Sequence, residues 1–148
     1  MVTTVQLGSG QFRYEVAVDW ETFPEGYQWR EVAGVITDSN DNVYVFNRGP
    51  HPMIVFDKDG NFIKSWGEDV FVRPHGASLG PDDTLYLTDD GDHTVRQCTL
   101  DGKVLMTIGV PGQAADLYGG KPFNRCTHVA VDPENELGRA HVCTPGTA

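Results

Sequence analysis

A period of 42 residues constrains this chain more than any other feature. Asp59-Gly60 returns as Asp101-Gly102, and Val43-Tyr44-Val45-Phe46 returns as Leu85-Tyr86-Leu87-Thr88. Trp66-Gly67 returns as Ile108-Gly109 and Gly34 as Gly76, at the same offset. A fixed period of this length marks a stacked repeat whose units bury apolar faces on one another. Each unit contains four short β-rich runs. In the first they are Ala33 to Thr37, Val43 to Asn47, Met53 to Phe56 and Phe62 to Trp66. Turn chemistry separates them: Asp38-Ser39-Asn40-Asp41-Asn42, Arg48-Gly49-Pro50 and Asp57-Lys58-Asp59-Gly60. The second unit repeats the pattern near His75 to Leu79, Leu85 to Asp89, Thr94 to Cys98 and Val104 to Ile108. Helical spacing is absent over any useful length. Four antiparallel strands per unit predict an all-β fold, a partial β-propeller with two complete blades at about 32–67 and 74–109.

A third unit is expected to begin at Phe123, with its first strand at Thr127 to Val131 and Asp132 in the place of Asp38. Phe12 to Val18 reads as an isolated strand of the kind that completes a last blade. Two blades cannot close a ring, so the chain reads as part of a larger propeller. The third unit needs a β-rich triplet at 137–139, where Leu137-Gly138-Arg139 stands, a stretch that resembles translated adaptor sequence. The expected domain is therefore 1–136, with 137–148 a non-native or disordered tail.

At 148 residues there is room for one ordinary domain. The 11 Lys and Arg against 21 Asp and Glu leave a net charge of −10, which argues against nucleic acid as a partner. Nothing in the sequence suggests a membrane span or a secretory start, and the compartment stays open, with the cytoplasm slightly favoured. Cys98, Cys126 and Cys143 form neither a disulfide framework nor a thiolate metal site, and Cys98 is expected to be a buried thiol.

The repeat also provides an internal control. His51 and His93 occupy equivalent turns, which points to a blade role rather than to metal ligation. His75 aligns with Ala33 and Thr127 at the opening of a first strand, where a side chain can reach the central channel of a propeller. Arg48 aligns with Asp90 after the second strand. Its guanidinium can reach the channel mouth or form a surface ion pair, and spacing leaves both open.

The segments Val32-Ala33-Gly34-Val35, Val45-Phe46-Asn47-Arg48-Gly49 and Phe71-Val72-Arg73-Pro74-His75-Gly76 resemble the bacterial peptidyl-α-hydroxyglycine α-amidating lyases. Leu87-Thr88-Asp89-Asp90 and Pro122-Phe123-Asn124-Arg125 continue the likeness, which runs from about Tyr14 to Asp132. The resemblance implies a six-bladed NHL-repeat propeller holding zinc on three histidines and a structural calcium. The implied reaction splits a peptidyl-α-hydroxyglycine into a peptide amide and glyoxylate. His75 matches a zinc ligand, and Arg48 matches an arginine acting on the carboxylate or hydroxyl end of the substrate. Val35 and Ala77 match positions whose carbonyls bind calcium. The other two zinc histidines and a catalytic tyrosine belong to later blades. Cys126-Thr127-His128 departs from the family pattern, where a proline usually precedes the threonine.

Two functions follow as alternatives. One is a fragment of a metal-dependent lyase acting on a small-molecule or peptide substrate, inactive by itself. The other is a non-enzymatic NHL propeller binding a peptide or protein. Sugar-lactone hydrolysis is weaker, because that chemistry uses carboxylate and amide ligands not evident here.

Overall fold

The computed structural model describes residues 5–116, 119 and 123–132. The described residues contain strands and no helix, as the repeat predicts. The first blade is an antiparallel meander of β3 (Val32–Thr37), β4 (Val43–Asn47), β5 (Met53–Phe56) and β6 (Phe62–Trp66), in that order. The second repeats it with β7 (Pro74–Leu79), β8 (Leu85–Asp89), β9 (Thr94–Cys98) and β10 (Val104–Ile108). β3 of the first blade packs beside β7 of the second.

Side-chain carboxylates close the turns of the first blade. Asp38 Oδ1 accepts the backbone N–H groups of Asn40 and Asn42, each at 2.9 Å. Asp57 Oδ1 does the same for Asp59 and Asn61, also at 2.9 Å. These side chains mimic the backbone acceptor of a turn. Gly60 and Gly102 follow in the left-handed region, both at φ 85°. Trp66 of the first blade lies against Gly102 of the second, where a Cβ would come within 2.6 Å of its ring. Trp20 occupies the corresponding place against Gly60.

The middle strands are buried on both faces, which explains their continuous apolar runs. Tyr44, Phe46, Met53, Val55 and Trp66 face the second blade and pack with its Leu85, Leu87 and Cys98. The opposite face of the first blade, Val45, Ile54 and Phe56, is covered by Trp20, Phe23, Tyr27 and Trp29. Phe56 alone meets four rings, Trp20, Phe23, Trp29 and Phe62. Burying one such ring contributes about 2–3 kcal/mol.

Two expectations need correction. The strand expected over Phe12 to Val18 is shorter, β2 (Phe12–Glu15), and it is not isolated. It pairs with β1 (Gln6–Ser9) through a two-residue turn with Gly10 at φ 61°, and both strands are exposed throughout. The segment Thr127 to Val131 is not a strand. It runs beside β7, where Ser78 Oγ donates to the Val129 carbonyl at 2.6 Å, but it forms no ladder. A second strand to pair with it would fall after Asp132, outside the described residues. The expectation for Leu137 to Arg139 lies outside them as well.

Candidate active site at the seam between β3 and β7

The inner strands of successive units approach closest at glycine. A Cβ on Gly34 would stand 3.1 Å from the Ala77 Cβ, and one on Gly76 would overlap the Thr127 carbonyl. Any larger residue would push the units apart. This contact sets Val35 and Ala77, each next to the close approach, on neighbouring strands. Val35 is exposed and Ala77 half-buried.

Arg48 follows β4 and crosses the seam. Its backbone N–H donates to the Glu31 carbonyl at 2.9 Å, and its Nε donates to the Pro74 carbonyl at 2.8 Å. Its Nη1 donates to Glu31 Oε2 at 2.8 Å. Arg48 thus makes the ion pair that was one of its two sequence readings, and it also bonds the first strand of the next blade. The Arg48 hydrogen bond and charge lower the pKa of Glu31, with Arg73 and Arg30 adding to the effect. His75 follows the Pro74 carbonyl that Arg48 grips. It is half-buried, and no hydrogen bond to its ring is made by the described residues. Thus Arg48, His75, Val35 and Ala77 lie along one seam.

Buried polar side chains hold the segments that lead into β3 and β7. Asn47 is fully buried, and its Oδ1 accepts the Arg30 N–H at 3.0 Å. Asp89, its counterpart 42 residues later, accepts the N–H groups of Val72 at 2.6 Å and Arg73 at 2.9 Å. It also accepts those of Gly91 at 2.9 Å and Asp92 at 3.2 Å. Asp89 thereby fixes the segment that presents Arg73, Pro74 and His75.

The repeat also conceals an inversion that reading single residues missed. Glu31 and Arg73 are equivalent positions, as are Arg48 and Asp90. In the second blade the pair is Arg73 with Asp90, so the same two positions attract each other with the charges exchanged. Arg125, the counterpart of Arg73 in the third unit, reaches back to Asp90 Oδ2 at 3.1 Å. The signal was present in the offset, since opposite residue types stand at both members of each pair.

The remaining candidates have structural partners. The His51 ring stacks on Tyr27 at 3.8 Å between centroids, and its Nδ1 meets Glu68 Oε1 at 2.9 Å. His93 Nδ1 accepts the Arg125 N–H at 2.9 Å. Cys98 is buried as expected, and burial pushes its thiol up to about 11. Burial likewise pushes Cys126 up to about 12. Neither thiol is a nucleophile at neutral pH. Among the described residues no three of His, Cys, Asp and Glu converge as a metal-ligand set. His75 is one imidazole, and one falls short of a zinc site. No described helix is long and apolar enough to cross a membrane.

With this geometry in view, comparison with known proteins places the chain among distant relatives. Its relatives are NHL-repeat proteins and amidating enzymes. NHL repeat-containing protein 3 of Mus musculus is 24% identical over 84% of this chain and 38% of its own length. Peptidylglycine alpha-amidating monooxygenase of Rattus norvegicus is 26% identical over 84% of this chain and 15% of its own. Peptidyl-alpha-hydroxyglycine alpha-amidating lyase 1 of Drosophila melanogaster is 36% identical over 49% of this chain and 13% of its own. The chain thus spans well under half the length of these relatives. No protein-family model matches it. The likeness supports an NHL-type repeat, in agreement with the two four-stranded sheets.

Proposed function

We propose that this chain forms part of a lyase that cleaves a peptidyl-α-hydroxyglycine or a related small carbinolamide, and that the β3–β7 seam is its contribution to the active site. One observation carries the reading: Arg48 is anchored by Glu31 and by the Pro74 carbonyl, immediately before His75. A guanidinium held at two points keeps further donors for a carboxylate, and charge-assisted pairing of that kind fixes the orientation of a substrate. Zinc and calcium belong to the proposal. His75 would give zinc one nitrogen, and the carbonyls of Val35 and Ala77 would give calcium two oxygens, a donor type suited to a hard cation. The described residues do not complete the zinc set, so this chain alone is expected to be inactive. The amidating relatives support the lyase reading over a purely binding propeller.

The test is glyoxylate release from a peptidyl-α-hydroxyglycine by a protein that carries this segment at the full length of its relatives, supplied with zinc. Release that disappears in His75→Ala together with bound zinc is expected. A zinc-loaded protein that binds the peptide without releasing glyoxylate would favour the non-enzymatic alternative.

A further inference from the structure

Arg73 and Arg125 come from different units, yet both pair with the same oxygen, Asp90 Oδ2. The Asp90 side chain is only 4% exposed, whereas those of Arg73 and Arg125 are 43% and 58% exposed. Its other oxygen, Oδ1, is buried and receives no hydrogen bond from the described residues. A guanidinium has five N–H donors in a planar fork, and among the described residues only one nitrogen of each is engaged. The geometry therefore combines two accessible guanidiniums with a buried acceptor that has no partner among the described residues. Buried polar atoms without partners are uncommon and costly. Arg125 holds its side chain toward Asp90 from a left-handed backbone at φ 59°.

The placement agrees. Arg73 lies two residues from His75, and with Arg30, Arg48 and Arg125 it stands at the end of the blades where first strands begin. The turns at the opposite end, 38–42, 57–61, 80–84 and 99–103, hold seven aspartates and no arginine. The arginine end also carries Glu31, Glu68, Asp69, Asp89 and Asp92, and the opposite turns carry Lys58 and Lys103, so the ends differ for an anion in guanidinium forks rather than in net charge.

We infer that Arg73 and Arg125 form a clip over Asp90 that binds a small α-hydroxy carboxylate. Arg73 and Arg125 share the Asp90 carboxylate, and the adjoining Asp89 carboxylate is taken up by backbone N–H groups, so a singly charged carboxylate suits the clip better than a doubly charged phosphate. The ligand's carboxylate takes the free forks, and its hydroxyl supplies the donor that Asp90 Oδ1 lacks. Both guanidiniums are exposed enough to part and admit it. The inference rests on the proposed lyase reading only for which molecule arrives; binding itself is measured without turnover.

The experiment follows the Arg Nε–H signals of the ¹⁵N-labelled chain during titration with glycolate, acetate and inorganic phosphate. Glycolate is expected to shift the Arg73 and Arg125 signals saturably and to leave Arg13, on the hairpin, in place. Acetate, lacking the hydroxyl, should bind about tenfold more weakly, the scale of one hydrogen bond to a charged group. Arg73→Gln and Arg125→Gln should each abolish saturation, and Arg13→Gln should leave it intact. Because Arg125 is largely exposed, its variant keeps the test decisive even where Arg73→Gln disturbs folding. Equal shifts at Arg13, undiminished binding in Arg125→Gln, or phosphate binding as tightly as glycolate would overturn the assignment. Glycolate binding by the clip in a protein that releases no glyoxylate would support the clip and sink the lyase reading alone. Glyoxylate release with no response at Arg73 or Arg125 would do the reverse.

Discussion

In the first blade β5 buries Ile54 with Val45 and Phe56 beneath four aromatic side chains of the preceding segment. In the second blade the equivalent position is Arg96, only 7% exposed, and it is paired with Asp92 and stacked over Phe71 at 5.4 Å. Thr94 joins the pair, donating to Asp92 Oδ1 at 2.5 Å and accepting from Arg96 Nη1 at 2.7 Å. Two blades with one backbone plan are thus filled by opposite chemistries. The backbone demands volume and satisfied hydrogen bonds at this position, not a particular polarity. The pair at the seam teaches the same lesson. Glu31 with Arg48 and Arg73 with Asp90 show that the blade requires opposite charges at two positions and is indifferent to which is which. The sign at position 48 is then free to serve something other than the fold.

The comparison is most easily broken at Arg96. Arg96→Ile, which copies the first blade, should destabilise the protein by about 3–5 kcal/mol because it strands the Asp92 charge in the interior. Arg96→Ile combined with Asp92→Ala should recover most of that loss in urea unfolding. A single variant as stable as wild type would mean that Asp92 is not held by Arg96.

The inner-strand glycines sharpen the comparison next. Gly76→Ala forces a methyl into the Thr127 carbonyl and should cost about 1–3 kcal/mol. Gly34→Ala meets only the Ala77 methyl, at 3.1 Å, and should cost less. The order of the two melting temperatures checks this. A smaller effect comes from Glu31→Gln. With Glu31 68% exposed, breaking its pair with Arg48 should cost under about 1 kcal/mol.

The smallest effect is local and depends on pH. Asn61 hydrogen bonds lower the pKa of Asp57, and at Asp38 hydrogen bonds from Asn42, Asn40 and Tyr44 outweigh the upward pull of burial. A carboxyl whose folded pKa is depressed stabilises the turn above its unfolded value, near 3.8 for both residues, and that stability is lost as pH falls toward the folded value. The equivalent of Asp57 in the second blade is Thr99, whose hydroxyl accepts the Lys103 N–H at 3.1 Å and does not titrate. Hydrogen exchange on acidification should therefore lose protection at the Asn42 and Asn61 amides while Lys103 keeps its own. Parallel loss at all three would contradict this account of the turns.

The blades were legible because their turns carry aspartate, asparagine and glycine at fixed offsets, which depend only on local chemistry. The β1 strand was not. Gln6-Leu7-Gly8-Ser9 has little β signal, and its pairing is imposed by the turn at Gly10 and by β2. The cover over the first blade was equally hidden, since Trp20, Phe23, Tyr27 and Trp29 follow neither strand nor helix spacing and are recruited by the apolar face they meet. At the candidate site, the offset placed Val35, Ala77 and His75 on neighbouring first strands. What Arg48 touches was beyond the offset, because Glu31 and the Pro74 carbonyl reach it across the blade and across the seam.

Exchanging the signs of the first-blade pair tests most directly whether Arg48 serves more than the fold. In a protein of the relatives' full length, Glu31→Arg with Arg48→Asp reproduces the second-blade arrangement. Melting temperature and glyoxylate release would be measured on the same preparation. A melting temperature within about 2–4 °C of wild type, the span of roughly 1 kcal/mol in a protein larger than this chain, is expected together with abolished turnover. Turnover at the wild-type rate in the folded, exchanged protein would contradict this expectation.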